Sequence, residues 1–239
     1  MIESKKNNQK VPEHVAIILD GNRRWASERN LPSFEGHYKG YKKVQEAPLW
    51  FFSRGVKVLS VYAFSTDNWK RSTDEVNYLM KLIKQAIEES VILANEQDYR
   101  MLLSGRINEL PGDLPDVCRD AMAKTVNNRG GTLNICLNYG GRMELIDAVK
   151  KMMQNNLTVE QVHEGTIKKY LYQPDLPDPD LIVRTSGEHR LSGFLLWESA
   201  YSELFFIKKY WPDFEEQDVS NLIDDYNKRE RRYGGDVEA

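Results

Sequence analysis

The segment Asp20-Gly21-Asn22-Arg23-Arg24-Trp25 follows directly on the apolar run 15–19 and sets a carboxylate, a glycine, an amide and two guanidinium groups within six residues. The glycine admits close backbone approach, N–H groups at a helix start favour negative charge, and guanidinium forks match phosphate oxygens. This turn can hold an anion, and Asp20 a metal. A second segment, 63–71, mixes the hydrogen-bonding residues Ser65 and Asn68 with Arg71 and the aromatic residues Phe64 and Trp69, as a ligand with one charged and one apolar end requires. A third, 184–192, brings Arg184, Arg190 and Ser192 together as a second anion pocket and adds His189. Glu203 follows a mostly apolar run and is a candidate to join Asp20 and His189 around a hard cation such as Mg²⁺. The turn 138–142, Asn138-Tyr139-Gly140-Gly141-Arg142, admits either tight packing or ligand contact.

Each segment needs an element to position it. Short apolar, β-branched runs at 15–19, 56–62, 101–104, 132–137, 181–183 and 204–207 predict buried strands. Helical patterns at 36–54, 73–97, 114–127, 142–154, 159–170 and 215–232 lie between them. The alternation predicts one α/β domain with a mostly parallel central sheet flanked by helices. Ligands of such sheets bind beyond the carboxyl ends of the strands, where the anion-binding segments fall. Ser72 with Glu75 predicts a capping box at the start of the helix 73–97. That helix is apolar over more than one stripe, through Leu79, Leu82, Ile83 and Ile87 among others. Either it is wedged between sheet and helices, or it walls an apolar tunnel between them. Residues 1–12 read as a loose arm, 13–235 as the domain and 236–239 as a tail.

Composition narrows the class. With 33 Lys and Arg against 36 Asp and Glu, a net charge of −3 and 41% apolar residues, the 239-residue chain has the make-up of a soluble globular protein. That balance gives no sign of a nucleic-acid-binding surface. Two cysteines suit a reducing, cytoplasmic compartment. Neither a secretory signal nor a spanning segment of about 20 apolar residues is expected, so any membrane contact is peripheral. The phosphate-loop, dinucleotide and hydrolase-elbow motifs are missing from the sequence. Asp224-Asp225 lacks the third aspartate of the trans-type prenyl synthases. What is left is an Mg²⁺-dependent enzyme acting on diphosphates that carry apolar chains.

Four segments, 14–26, 62–71, 184–190 and 229–235, resemble the cis-prenyltransferases, the undecaprenyl diphosphate synthase-like enzymes, in order and over residues 12–235. The resemblance implies elongation of an allylic diphosphate, expected to be farnesyl diphosphate, by isopentenyl diphosphate, with each new double bond cis. By the same resemblance Asp20 engages Mg²⁺, and Gly21, Asn22 and Arg24 bind the allylic diphosphate, with His37 beside it. Arg184, Arg190 and Ser192 hold the isopentenyl diphosphate, with His189 and Glu203 near the metal. Asn68, Trp69, Arg71 and Glu75 close over the substrates, and Asn68 relays a proton to a diphosphate oxygen. A homodimer is implied, with Arg232-Tyr233-Gly234 reaching the partner's site. Ser33 stands where relatives usually carry an arginine; either Arg23 or Arg29 restores the charge, or the allylic site is weaker. Two alternatives stay open: a non-catalytic partner subunit of a two-component enzyme, and a diphosphate hydrolase.

Overall fold

Six strands, β1 (His14–Ile18), β2 (Val58–Ser65), β3 (Tyr99–Ser104), β4 (Gly131–Tyr139), β5 (Leu181–Arg184) and β6 (Glu203–Phe206), form one sheet in the order β3-β4-β2-β1-β5-β6. Every neighbouring pair is parallel. The computed structural model describes residues 10–229. Among the described residues seven α-helices surround the sheet: α1 (Asn22–Glu28), α2 (Ser33–Phe52), α3 (Thr73–Glu96), α4 (Leu114–Lys124), α5 (Gly141–Gln154), α6 (Glu164–Tyr170) and, after the last strand, α7 (Glu216–Asn227). The expected single α/β domain is what the chain forms.

Side-chain alternation along the strands explains how both sheet faces are covered. Val15 and Ile17 join Leu59, Val61, Leu133 and Ile135 in one core with residues of α2, α3, α4 and α7. Ala16, Ile18, Cys136 and Ile182 face the other way, against Phe194 and Leu195. Both faces are therefore dry, as parallel strands with continuous apolar runs require. Cys118 and Cys136 are buried and unbridged.

The elements differ from expectation at several places, among them the added helix α1 and the extension of β2 to Ser65. The pattern 159–170 is a 3₁₀ turn (Val159–Gln161) and then the short α6. Asn138 and Tyr139 belong to β4 rather than to a turn, and α5 starts at Gly141. At the start of α3 the Ser72 hydroxyl accepts the Glu75 N–H at 3.4 Å, half of a capping box, while the Glu75 carboxylate turns to the ligand site. Lys10 donates its N–H to Asn227 at 2.7 Å and Val11 packs on the core.

Candidate active site

The carboxyl ends of β1, β2 and β5 meet over two open cavities of about 570 and 480 Å³, which share Leu19, Asp20, Asn22, Arg24, His37 and Arg71. Asp20 sits at the centre. Its Oδ2 accepts two bonds from Arg184, at 2.7 and 3.2 Å, and its Oδ1 accepts one from Arg24 at 3.2 Å. Its backbone is pinned as well: the Asp20 N–H donates to Thr185 Oγ1, which donates to the Asp20 carbonyl at 2.6 Å. Burial pushes the Asp20 carboxyl up, but the Arg184 guanidinium, helped by Arg24, outweighs it and holds the group below its ordinary range. Asp20 is thus an anion at any working pH.

Arginine and carboxylate alternate outward from it. Arg24 also bonds Ser186 Oγ at 2.6 Å and Glu188 at 2.9 Å, and Glu188 in turn pairs with Arg190. Arg184 directs both NH1 protons to the Arg190 carbonyl and Ser192 Oγ, at 2.6 and 2.8 Å. Four of its five N–H donors are therefore engaged within the protein, and it holds the 190–192 turn against Asp20. On the other side Glu75 gathers Arg71 at 3.0 Å, His37 at 3.3 Å and Arg23 at 3.9 Å. Burial, reinforced by Arg71, lowers the His37 pKa despite Glu75, so the imidazole is neutral near pH 7.

Gly21 must be glycine: its φ is +103°, and a Cβ there would stand 2.5 Å from the Tyr210 ring. Gly36 and Gly40 let α2 press against α1, since a Cβ on Gly40 would meet Asn22 Oδ1 at 2.3 Å. That oxygen is buried without a hydrogen-bond partner where the two polar cavities join a third. The third is apolar, about 100 Å³, and lies between α2, α3 and the sheet, lined by Leu79, Leu82, Ile83, Ala86 and Ile87. It shares Leu19, Asn22 and His37 with the polar cavities.

Among the expected site residues, Asp20, Gly21, Asn22, Arg23, Arg24, His37, Ser65, Asn68, Arg71, Arg184, Arg190 and Ser192 line the two polar cavities. Others do not. Trp25 donates its indole N–H to Asp213 at 2.6 Å and carries Arg29 on its face, so both point away. Phe64 is core, with Trp69 edge-on against it. His189 stacks on Phe206, and Glu203 receives Arg229 at 2.8 Å. Glu203 pairs with Leu181 at the amino end of β6, whereas Asp20 follows the carboxyl end of β1. Hence Asp20, His189 and Glu203 do not gather, and among the described residues no three potential ligands do. Strand polarity carried the missing signal: the run 204–207 leads into Lys208-Lys209-Tyr210, and Tyr210 packs beneath Gly21 and Arg24. Thr185, Ser186 and Glu188, from within the 184–192 segment, join the site through Asp20 and Arg24, which their small or acidic side chains alone do not announce.

Residues 18–234 match the undecaprenyl diphosphate synthase family. The chain belongs to that family. The isoprenyl transferase of Thermotoga maritima is 46% identical over 228 residues, which cover 95% of this chain and 98% of that one. A tritrans,polycis-undecaprenyl-diphosphate synthase (geranylgeranyl-diphosphate specific) of Pyrococcus furiosus is 44% identical, with 94% and 87% covered. The crystal structure of lavandulyl diphosphate synthase from Lavandula x intermedia, in complex with dimethylallyl diphosphate, superposes with a TM-score of 0.90 at 32% identity, covering 94% and 98%. A non-catalytic partner subunit finds no support, because family membership comes with an intact 20–25 segment.

Proposed function

We propose that the protein condenses isopentenyl diphosphate with an allylic diphosphate to build a cis-polyprenyl diphosphate. One observation supports the reading: two cation-lined cavities that share Asp20 adjoin, through Leu19, Asn22 and His37, an apolar cavity between α2, α3 and the sheet. A diphosphate hydrolase has no use for the third. In the condensation the allylic C–O bond breaks and its electron pair leaves with the diphosphate. The isopentenyl double bond attacks the allylic carbon, and one proton departs to form the new double bond. Arg24, the Gly21 and Asn22 turn and Arg23 hold the allylic diphosphate, where preformed cations stabilise the charge that develops on it. Arg190, Ser192 and the remaining Arg184 donor hold the isopentenyl diphosphate and fix its double bond against the allylic carbon.

Asn68 Oδ1 already accepts the Ser65 N–H at 3.0 Å, so its amide N–H groups are what it offers to substrate. It orients a diphosphate oxygen, and that oxygen takes the proton. The chemistry of Asp20 suits Mg²⁺, which binds through one or two carboxylates together with substrate phosphates and water. When bound, the ion neutralises diphosphate charge. Farnesyl diphosphate is the proposed allylic substrate, a growing chain occupies the apolar cavity, and peripheral contact with a membrane receives the product. A homodimer is supported by Ile146, Val149 and Met153, an exposed apolar stripe on α5. The segment 232–234 lies outside the described residues. Among those residues no helix is long and apolar enough to cross a membrane.

Labelled isopentenyl diphosphate supplied with C10, C15 or C20 allylic diphosphates, with and without Mg²⁺, tests the reading. Long labelled products, best primed by farnesyl diphosphate and dependent on Mg²⁺, are expected. Labelled products that form equally in a metal chelator would remove the ion from the account.

A further inference from the structure

Asn138, near the end of β4, lines neither diphosphate cavity, yet it is 3% exposed and adopts φ +47°, a left-handed conformation that asparagine tolerates better than most residues. Its side chain makes two bonds. The indole Nε1–H of Trp69 donates to Oδ1 at 2.8 Å, and Nδ2 donates to the Arg106 carbonyl at 3.0 Å. The partners settle the orientation of the amide, because an indole N–H can only donate and a carbonyl can only accept. The Arg106 N–H returns a bond to the Asn138 carbonyl at 3.2 Å, and Gly105, at φ +130°, has no room for a Cβ, which would lie 2.1 Å from the Leu137 carbonyl. Asn138 is thus clamped from the β3 side and presents one acceptor outward.

What hangs on that acceptor is the 3₁₀ turn Thr66–Lys70, which carries Asn68 and leads to Arg71. Trp69 is otherwise held by the edge of Phe64 and is 38% exposed. A residue needed only to close its own chain reversal would satisfy its amide locally. Asn138 instead ties together the segments that follow β2 and β3.

We propose that Asn138 is a positioning residue for the substrate-covering turn, acting through the Trp69 indole. The inference rests on the reading that residues 65–71 touch the diphosphate substrates. An amide that both accepts from an indole and donates to a carbonyl, in a left-handed residue, is met by asparagine. Aspartate lacks the donor and glutamine has the wrong length.

The test is a double-mutant cycle on the full-length enzyme with Asn138→Gly, which tolerates the backbone angle, Trp69→Phe, which cannot donate, and the pair. Loss of one hydrogen bond of about 1.4 kcal/mol is tenfold. Each single variant is therefore expected to lower kcat/KM for isopentenyl diphosphate about tenfold, and the double variant no further than the worse single one. Trp69 emission, taken as wild type minus Trp69→Phe, should shift to the red and become more easily quenched by acrylamide in the Asn138→Gly background. Additive losses, or an unchanged Trp69 signal in folded Asn138→Gly, overturn the proposal. If Asn138→Gly does not fold, Asn138→Asp, which keeps the acceptor but loses the donor that clamps it, replaces it; a loss of kcat/KM with a red-shifted Trp69 signal then supports the proposal, and a loss with an undisturbed Trp69 signal, or no loss at all, overturns it. Trp69→Phe with wild-type kcat/KM in an active enzyme instead sinks the reading of the turn as substrate-covering, and the inference with it.

Discussion

Asp20 is the residue on which both halves of the site depend, and its substitution separates chemistry from architecture. Asp20→Asn keeps an acceptor for Arg184 but removes the charge; turnover with saturating substrates should fall by orders of magnitude while the melting temperature moves little. Asp20→Ala strands the Arg184 guanidinium, only 5% exposed, and should cost roughly 1 to 3 kcal/mol of stability in a denaturant titration. Ser33 is the second telling position. Of the two arginines that could replace the expected one, Arg29 is bound to Asp213 and Trp25, while Arg23 shares the large cavity with Ser33. Arg23 is 62% exposed and only loosely paired, so it restores charge without restoring geometry. Ser33→Arg should lower the KM for farnesyl diphosphate and leave that for isopentenyl diphosphate nearly unchanged. A level or higher allylic KM would show a site rebuilt around the serine. At this scale residue types announced the anion chemistry, because arginine, glycine and amide side chains cluster for few other reasons. The sequence could not show that Trp25 and Phe64 face away, since Trp25 is turned within α1 by its bond to Asp213 and Phe64 lies at an irregularity in the β2–β4 register.

The helix α3 bears the clearest signature of an element shaped for a ligand. Its surplus of apolar residues left two readings open in the sequence, and in the structure Leu79 and Leu82 are buried while also lining the cavity with Ile83 and Ile87. If chain growth stops where this space ends, Leu79→Trp, Leu82→Trp, Ile83→Trp and Ile87→Trp should shorten products on reversed-phase chromatography. The shortest are expected from the substitution nearest the diphosphate end. Unchanged lengths in all four would move the growing chain elsewhere. The six strands were legible because buried parallel strands are nearly continuous apolar runs, and the helix 159–170 was not, because Gly165 and the extended His163 interrupt a pattern that periodicity alone runs together. Asp20 and Glu203 stand apart in the structure for a reason of strand polarity. A residue that opens a parallel strand lies at the opposite end of the sheet from one placed just after such a strand.

At the scale of the whole molecule the two sheet faces differ: one carries the apolar cavity, and the other an apolar cluster with a small polar pocket beside it. Beneath that second face a small cavity of about 20 Å³, large enough for one water, is lined by His14, Asn134, Glu144 and Glu198. Glu144 accepts from the Tyr139 hydroxyl and the Tyr172 N–H, whereas Glu198 Oε2 is buried with no partner. Burial and the neighbouring Glu144 raise the Glu198 pKa, so folding demands a proton there that the unfolded chain releases above its ordinary carboxylate range. Stability should therefore decline as pH rises above about 4.5 towards the raised value, and Glu198→Gln should flatten that decline. Melting curves from pH 5 to 8 that stay parallel for the two proteins would contradict it. Condensation rather than hydrolysis is the proposed reaction because two cation-lined cavities lie beside an apolar one, as two diphosphates and a growing chain would require. The most direct measurement tracks diphosphate release and labelled isopentenyl incorporation together in one time course. One diphosphate released per isopentenyl unit incorporated, with none released from the allylic substrate alone, is the predicted result; release without incorporation would contradict the account.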